Sequence, residues 1–202
     1  MTALTADPTE ISRALRVLAS PGSVVELRIP KTRSATISGY FKDMDRLAHE
    51  AAKLSGKVTA VYVCLNPIDA RCYARAAERI EPYADTTTTD HDIIRRRWLL
   101  VDFDPKRPAG VSSTTVEHDS ALTRARQCYD WLLSLGFPAG SLVLADSGNG
   151  GHILIRLDLP NDTASTTLAR ALLAAIALRL SDTLVVVDQT TFNAGQIDKL
   201  YG

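Results

Sequence analysis

The sequence predicts an α+β chain in two parts: an N-terminal α/β lobe over residues 1–85 and a β-α-β-β-α-β unit over residues 93–202. Three observations predict this. After Trp98 the apolar residues fall into four short strand-like runs and two longer helical stretches, in the order of a split β-α-β unit. The first 80 residues carry their own helix caps, stops and apolar stripes. Between the two parts, Glu81–Asp92 is polar and turn-rich, which predicts an exposed connection.

The elements follow in order. Asp7 is placed to cap a first helix, Pro8 suits its first position, and Glu10 stands at capping-box spacing. Ile11, Leu15 and Leu18 form its apolar stripe, and Pro21-Gly22 stops it. Val24–Ile29 alternates as a strand does. Gly39-Tyr40-Phe41 leads into a helix from Asp43 to Leu54, closed by Gly56. Val58–Leu65 reads as a buried strand, ended by Asn66-Pro67.

In the second part, Trp98–Asp104 reads as a strand. Thr114 and Glu117 open a helix with the apolar set Leu122, Ala125, Cys128 and Leu132, which ends at Gly136. Ser141–Ala145 and His152–Leu157 are strands around a glycine-rich turn, Asp146–Gly151. Asp162–Leu180 is a long helix. Leu184–Asp188 is a strand that has to run on to Phe192 for Asp188 to lie within it. The usual order of such a unit puts the first strand at the centre, between the third and fourth. Asp102, Asp104, His152 and Asp188 then fall on neighbouring strands.

Composition limits the function classes. The 202 residues are 46% hydrophobic and 23% charged, which argues against long disorder. A chain this long buries roughly 70–75% of its unfolded surface, so it needs no disulfide or metal to fold. No apolar run approaches the ~18–20 residues of a membrane span; the longest, Leu168–Leu180, is broken by Arg170 and Arg179. The first residues lack the basic and apolar regions of a secretory signal. Cys64, Cys72 and Cys128 are an odd, scattered set, which excludes a disulfide framework and a paired-cysteine zinc module. A reducing cytoplasm is the expected location. The 23 basic and 23 acidic side chains cancel, which argues against a protein that coats nucleic acid by bulk charge. Residues 1–60 nevertheless carry nine basic and six acidic groups.

Asp102 and Asp104 are two apart on one strand, so both point to one face, about 6.5–7 Å apart along the backbone. Ending a buried strand in two carboxylates is costly unless a cation sits there. Either they hold divalent metal or they begin a solvated loop at Pro105. Asp188 ends a second apolar run and is either a third metal ligand or a strand-end aspartate. Ser147-Gly148-Asn149-Gly150-Gly151-His152 is the most unusual segment. Its glycines permit positive φ and close approach to a phosphate; the alternative is an ordinary glycine-rich hairpin. It is not a Walker loop, because no Lys-Ser/Thr follows. Lys106 and Arg107 either meet phosphates or neutralise the carboxylates. Arg95-Arg96-Arg97 is either a solvated run or a contact to a nucleic-acid backbone. Lys199 is a candidate phosphate ligand near the end of the sequence. His49, His91 and His118 have no metal-ligand spacing.

These residues together resemble the archaeo-eukaryotic primase superfamily, in its bacterial and phage primase-polymerase branch. Val101-Asp102-Phe103-Asp104, the Ser147–His152 segment and Val187-Asp188 match the family's three motifs in kind and order. The flanks Asp104–Pro108 and Lys199-Leu200-Tyr201-Gly202 also look like that branch. The resemblance is strong from Trp98 to Gly202; before that it rests on Gly39-Tyr40-Phe41 and Leu65-Asn66-Pro67. The sequence departs from it at Asn193-Ala194-Gly195-Gln196, where the branch has Asn-Pro-Ala-Arg.

The resemblance implies an RRM-like catalytic lobe joined to the N-terminal lobe, with the active site in the cleft between them. It implies a template-dependent DNA primase-polymerase in which Asp102, Asp104 and Asp188 hold two Mg²⁺ or Mn²⁺ ions. Ser147, Gly148, Asn149, Gly150, His152, Arg107 and Lys199 would bind the nucleotide. The implied partners are single-stranded template DNA, a primer and dNTP or NTP. A catalytic core cut from a longer protein, with a C-terminal primase domain or helicase, is the expected context. Two other classes stay open: a template-independent nucleotidyl enzyme such as a nucleotide cyclase, and a noncatalytic RRM-like nucleic-acid-binding module.

Overall fold

The structure is a computed structural model that describes residues 6–30, 35–108 and 110–202. Lys31 and Arg33, two basic residues of the first lobe, lie outside the described residues. The chain divides into two compact units. The first takes the described residues up to Arg95 together with Ala194–Gly202; the second is Arg96–Asn193.

In the first unit, helix α1 (Pro8–Leu18) begins at Asp7, whose Oδ1 accepts the Thr9 amide at 2.8 Å. Glu10 does not complete a capping box. Its carboxylate instead accepts from Arg13 one turn on. Ile11, Leu15 and Leu18 are buried as their spacing requires. Strands β1 (Val25–Ile29), β2 (Ile37–Phe41), β3 (Tyr62–Cys64) and β4 (Ile80–Glu81) and helix α2 (Met44–Leu54) complete the first part of the unit. The run Val58–Leu65 contributes only three residues as strand. The sheet order is β4-β2-β1-β3-β9, where β9 is Ile197–Lys199, and all pairs are antiparallel.

One sequence expectation changes here. The last nine residues do not continue the unit that starts near residue 93: β9 pairs with β3, and Ala194 is fully buried in the first unit's core beside Val24, Cys64 and Ile68. Ladder hydrogen bonds and a buried methyl outweigh sequence proximity. Glu81–Asp92 is largely exposed, as its polar, turn-rich composition predicts, but it is anchored to the first unit. Glu81 lies in β4, and buried Thr88 donates its amide to the carboxylate of buried Glu26. Arg28 forms an ion pair with Glu26 and donates to the Thr88 carbonyl at 2.8 Å. A buried carboxylate needs such partners, and the segment supplies them.

The second unit contains β5 (Arg96–Pro105), α3 (Thr115–Ser134), β6 (Leu142–Asp146), β7 (Gly151–Leu159), α4 (Thr163–Leu180) and β8 (Val185–Asp188). The strand order is β6-β7-β5-β8, antiparallel throughout. Thr114 and Glu117 form the reciprocal capping box that opens α3. The buried stripe of α3 is Ala121, Ala125, Cys128 and Leu132. Leu122 is only half-buried, because Ala121 sits four residues before Ala125 on the inner face. Asp162 caps α4 by accepting the Ser165 amide at 2.8 Å. The helix α4 is long and apolar enough to cross a membrane by length and composition. Its Ala169, Leu173, Ile176 and Leu180 pack in the same core as Leu99, Val101, Phe103, Val185 and Val187.

Candidate active site

Side chains alternate along β5, so Leu99, Val101 and Phe103 face the helices and Leu100, Asp102 and Asp104 face the other way. Phe103 is fully buried, as its place on the opposite face from the aspartates requires.

Asp102 is the point where three strands meet. Its register partner is His152 on β7 and Asp188 on β8. Residues directly opposite in an antiparallel ladder share a face, with Cβ atoms about 4.5–5.5 Å apart. His152, Asp102 and Asp188 therefore form one row across the sheet, and Asp104 stands two residues further along β5. The strand β8 ends at Asp188 and does not run on to Phe192. The alignment is achieved differently: β5 extends to Pro105, so Val185 pairs with Pro105 and Asp188 reaches Asp102 as the last residue of its strand. Asp188 itself stops the strand, since its Oδ1 accepts the Thr190 amide and hydroxyl, both at 2.8 Å. Thr191 then donates to the Leu100 carbonyl at 2.7 Å. Sequence reasoning missed both threonines; the Asp-x-Thr spacing at 188–190 was the available signal.

The charges in the row are incompletely matched. His152 is 3% exposed, and its Nε2 lies 3.2 Å from Asp102 Oδ1. That contact lacks hydrogen-bond alignment, and Asp102 Oδ1 is buried without a hydrogen-bond donor. An orphaned buried carboxylate oxygen is costly, and a cation would relieve it. Asp104 is more open. Arg107 Nη1 lies 3.6 Å from its Oδ1. The same guanidinium donates to the carbonyls of Val111 at 2.8 Å and Pro105 at 3.1 Å. Arg107 is thus folded onto its own loop and acts as a local counter-charge to Asp104. Among the described residues no three His, Cys, Asp or Glu side chains converge into a preformed metal cage. Such a cage is not required for Mg²⁺, which keeps waters and takes one or two carboxylates together with substrate phosphates. The donor set of Asp102, Asp104 and Asp188, with the orphaned Oδ1, fits a hard divalent cation.

The glycine-rich segment is the β6–β7 hairpin. The Ser147 amide donates to the Gly150 carbonyl at 3.0 Å, and the Gly150 amide donates to Ser147 Oγ at 3.0 Å. The Gly148 amide donates to Asp146 Oδ1 at 2.7 Å. Three backbone donors that the sequence offered to phosphate are therefore spent within the turn. Packing explains two glycines directly. A Cβ at Gly150 would stand 2.3 Å from the Phe103 carbonyl oxygen, and one at Gly151 would stand 2.7 Å from Ala125 Cβ. Only Gly148 of the three has positive φ, at 81°. Asn149 turns toward the chain before α3, where its Oδ1 accepts from Ser113.

Lys199 belongs to the first unit, opposite Tyr62 on β3. Arg96 is buried and donates to the Phe192 carbonyl and the Thr166 hydroxyl. In the Asn193-Ala194-Gly195-Gln196 segment, the Ala194 carbonyl accepts from Asn66 at 2.9 Å and the Gly195 amide donates to Asp90 at 2.7 Å. This segment serves the first unit's packing.

No model of a known protein family matches this chain, and no curated protein matches it. One solved structure is similar. It is the polymerase domain of Mycobacterium tuberculosis Ligase D in complex with DNA, 16% identical, with a TM-score of 0.48. The similarity covers 99% of this chain and 80% of that one.

Proposed function

We propose that this chain is a template-dependent nucleotidyltransferase of the DNA primase-polymerase class that adds nucleotides to a 3′-hydroxyl. The observation that carries this reading is the Asp102–Asp188 pair across β5 and β8, with the buried Asp102 oxygen lacking a donor. The motif resemblance adds the third carboxylate, Asp104, and the hairpin.

In this reading Asp102, Asp104 and Asp188 hold two Mg²⁺ or Mn²⁺ ions. When bound, such ions ease deprotonation of an attacking hydroxyl and neutralise the leaving phosphates. The 3′-hydroxyl oxygen forms a bond to the α-phosphorus of the incoming nucleotide. The bond from that phosphorus to the bridging oxygen of the β-phosphate breaks, pyrophosphate leaves with the electron pair, and the hydroxyl proton passes to water. The Ser147–His152 hairpin, within an RRM-like lobe, borders the triphosphate. His152 stands with its Nε2 3.2 Å from Asp102 Oδ1, so in this reading it lies behind the carboxylate that meets the metal and the phosphates.

A noncatalytic RRM-like binding module would stack bases on exposed aromatics of its central strands. Trp98 and Phe103, the aromatics of β5, are both buried, which disfavours that reading. The deciding experiment incubates the protein with single-stranded template, labelled dNTP or NTP and Mn²⁺ or Mg²⁺, with and without a primer. Template-directed products that vanish with EDTA and with Asp102→Asn are expected. Metal-dependent nucleotide turnover indifferent to template would favour a cyclase-type enzyme, and binding without turnover would sink both.

A further inference from the structure

The hairpin that carries His152 is held from outside the carboxylate row by the start of α3. His118 Nε2 lies 2.8 Å from Asp146 Oδ1. A carboxylate only accepts, so the imidazole donates. That same Oδ1 accepts the Gly148 amide at 2.7 Å. One oxygen thus joins α3 to the tip of the turn, where the backbone enters the left-handed region. Five residues earlier in the chain, Ser113 donates its amide and hydroxyl to Asn149 Oδ1 at 3.2 and 3.3 Å.

The turn does not need these anchors for its own shape. Ser147 and Gly150 already close it through three contacts: amide to carbonyl, amide to hydroxyl and hydroxyl to carbonyl. The contacts from α3 determine instead where the closed turn stands relative to the sheet. Asp146 pairs with Gly151 and Ala145 pairs with His152, so a shift at Asp146 is carried directly into the residues that place His152 beside Asp102.

We propose that His118, acting through Asp146, is a positioning residue: it holds the Ser147–Gly150 turn and His152 in the pose that receives a nucleotide triphosphate. The role rests on the nucleotidyltransferase reading of the site. No sequence spacing marks His118, which meets Asp146 only when α3 packs on β6 and β7.

The test compares His118→Ala and His118→Gln in the full chain. The readouts are amide exchange at Gly148, dATP affinity with Mn²⁺, Mn²⁺ affinity without nucleotide, and KM against kcat for incorporation. Loss of one charge-assisted hydrogen bond should weaken dATP binding and raise KM about tenfold in His118→Ala, with kcat and Mn²⁺ affinity within about twofold of the parent. Exchange at Gly148 should speed up, and His118→Gln, whose amide can donate to Asp146, should recover most of each change. Unaltered Gly148 exchange in His118→Ala overturns the clamp. Faster exchange with unchanged KM overturns its role in nucleotide binding, as does a joint loss of stability, Mn²⁺ and dATP binding that Gln does not rescue. If the parent protein binds no dATP, the reading of the site itself falls, a result separable from any effect of the variants.

Discussion

Asp102 stands directly opposite Asp188 in the β5–β8 ladder, so two carboxylates from strands 86 residues apart in sequence share one sheet face. Like charges directly opposite are destabilising in a sheet. The pairing therefore opposes folding, and a bound cation would reverse that penalty.

Asp102→Asn should lower nucleotide incorporation about a thousandfold, in line with the loss of a group that stabilises developing charge. It should leave melting temperature unchanged or raised, because it removes repulsion with Asp188. Incorporation assays and thermal unfolding check the two halves. Near-parental incorporation would remove Asp102 from the reaction.

Gly150→Ala should destabilise the chain more than Gly148→Ala. The first places a methyl 2.3 Å from the Phe103 carbonyl oxygen, a clash that backbone has to relieve, at about 1–3 kcal/mol. The second meets open space and costs only the strain of a positive φ, about 1 kcal/mol. Denaturant midpoints measure the difference. The reverse order would mean that Gly150 is kept for a ligand's approach and not for packing.

Nucleic-acid binding without nucleotide should be weak, with a shallow salt dependence. Of the basic residues that the sequence offers, Arg28 is tied to Glu26 and Thr88, and Arg96 to Phe192 and Thr166. With only a few free cations touching a single strand, the log–log slope should be on the order of −2. A salt titration on a short oligonucleotide, in EDTA and then with Mn²⁺ and nucleotide, reads it. Tight, steeply salt-dependent binding in EDTA would point to a concentrated basic groove and favour a binding module.

Acid should unfold the first unit partly through Asp92. The Arg75 guanidinium, assisted by the Thr89 amide, holds the Asp92 carboxyl well below its ordinary range, against a smaller opposing effect of burial. A carboxyl depressed in the folded state adds stability above its unfolded value of about 3.9 and loses it as pH falls below that value toward the folded one. Asp92→Asn should therefore lower the melting temperature at pH 7 and flatten its fall between about pH 4 and pH 2. A parallel decline in parent and variant over that range would assign the acid sensitivity to other carboxylates.

Much of the second unit was legible because its signals are local. Thr114 and Glu117 mark a helix start, and the period-two spacing of Asp102 and Asp104 puts both on one face whatever the rest of the chain does. Boundaries were less legible. Pro105 ends a strand in sequence terms, yet it extends β5 because it lies beyond the last β7 pair, Phe103–Gly151, where no amide donor is needed on that side, and this extra residue lets Asp188 reach Asp102. The glycine segment misled in a different way. Glycine permits both close packing and ligand approach, and nothing local distinguishes a neighbouring carbonyl from a phosphate. Leu122 and Ala121 differ only in which way the helix turns toward its core.

The sequence by itself determined what depends on neighbours within a turn or two: the helix starts at Asp7, Asp43, Thr114 and Asp162, the order of helices and strands in the second unit, and the same-face aspartates of β5. Only the tertiary structure decided what depends on distant segments. It gave Ala194–Gly202 to the first unit through pairing with β3 and tied the Glu81–Asp92 segment to Glu26 and Arg75. It also placed His118 on Asp146. The physical reason is that backbone caps and strand periodicity are satisfied locally, whereas a ladder's partner, a buried charge's counter-ion and a hairpin's anchor are chosen by which surfaces exclude water together.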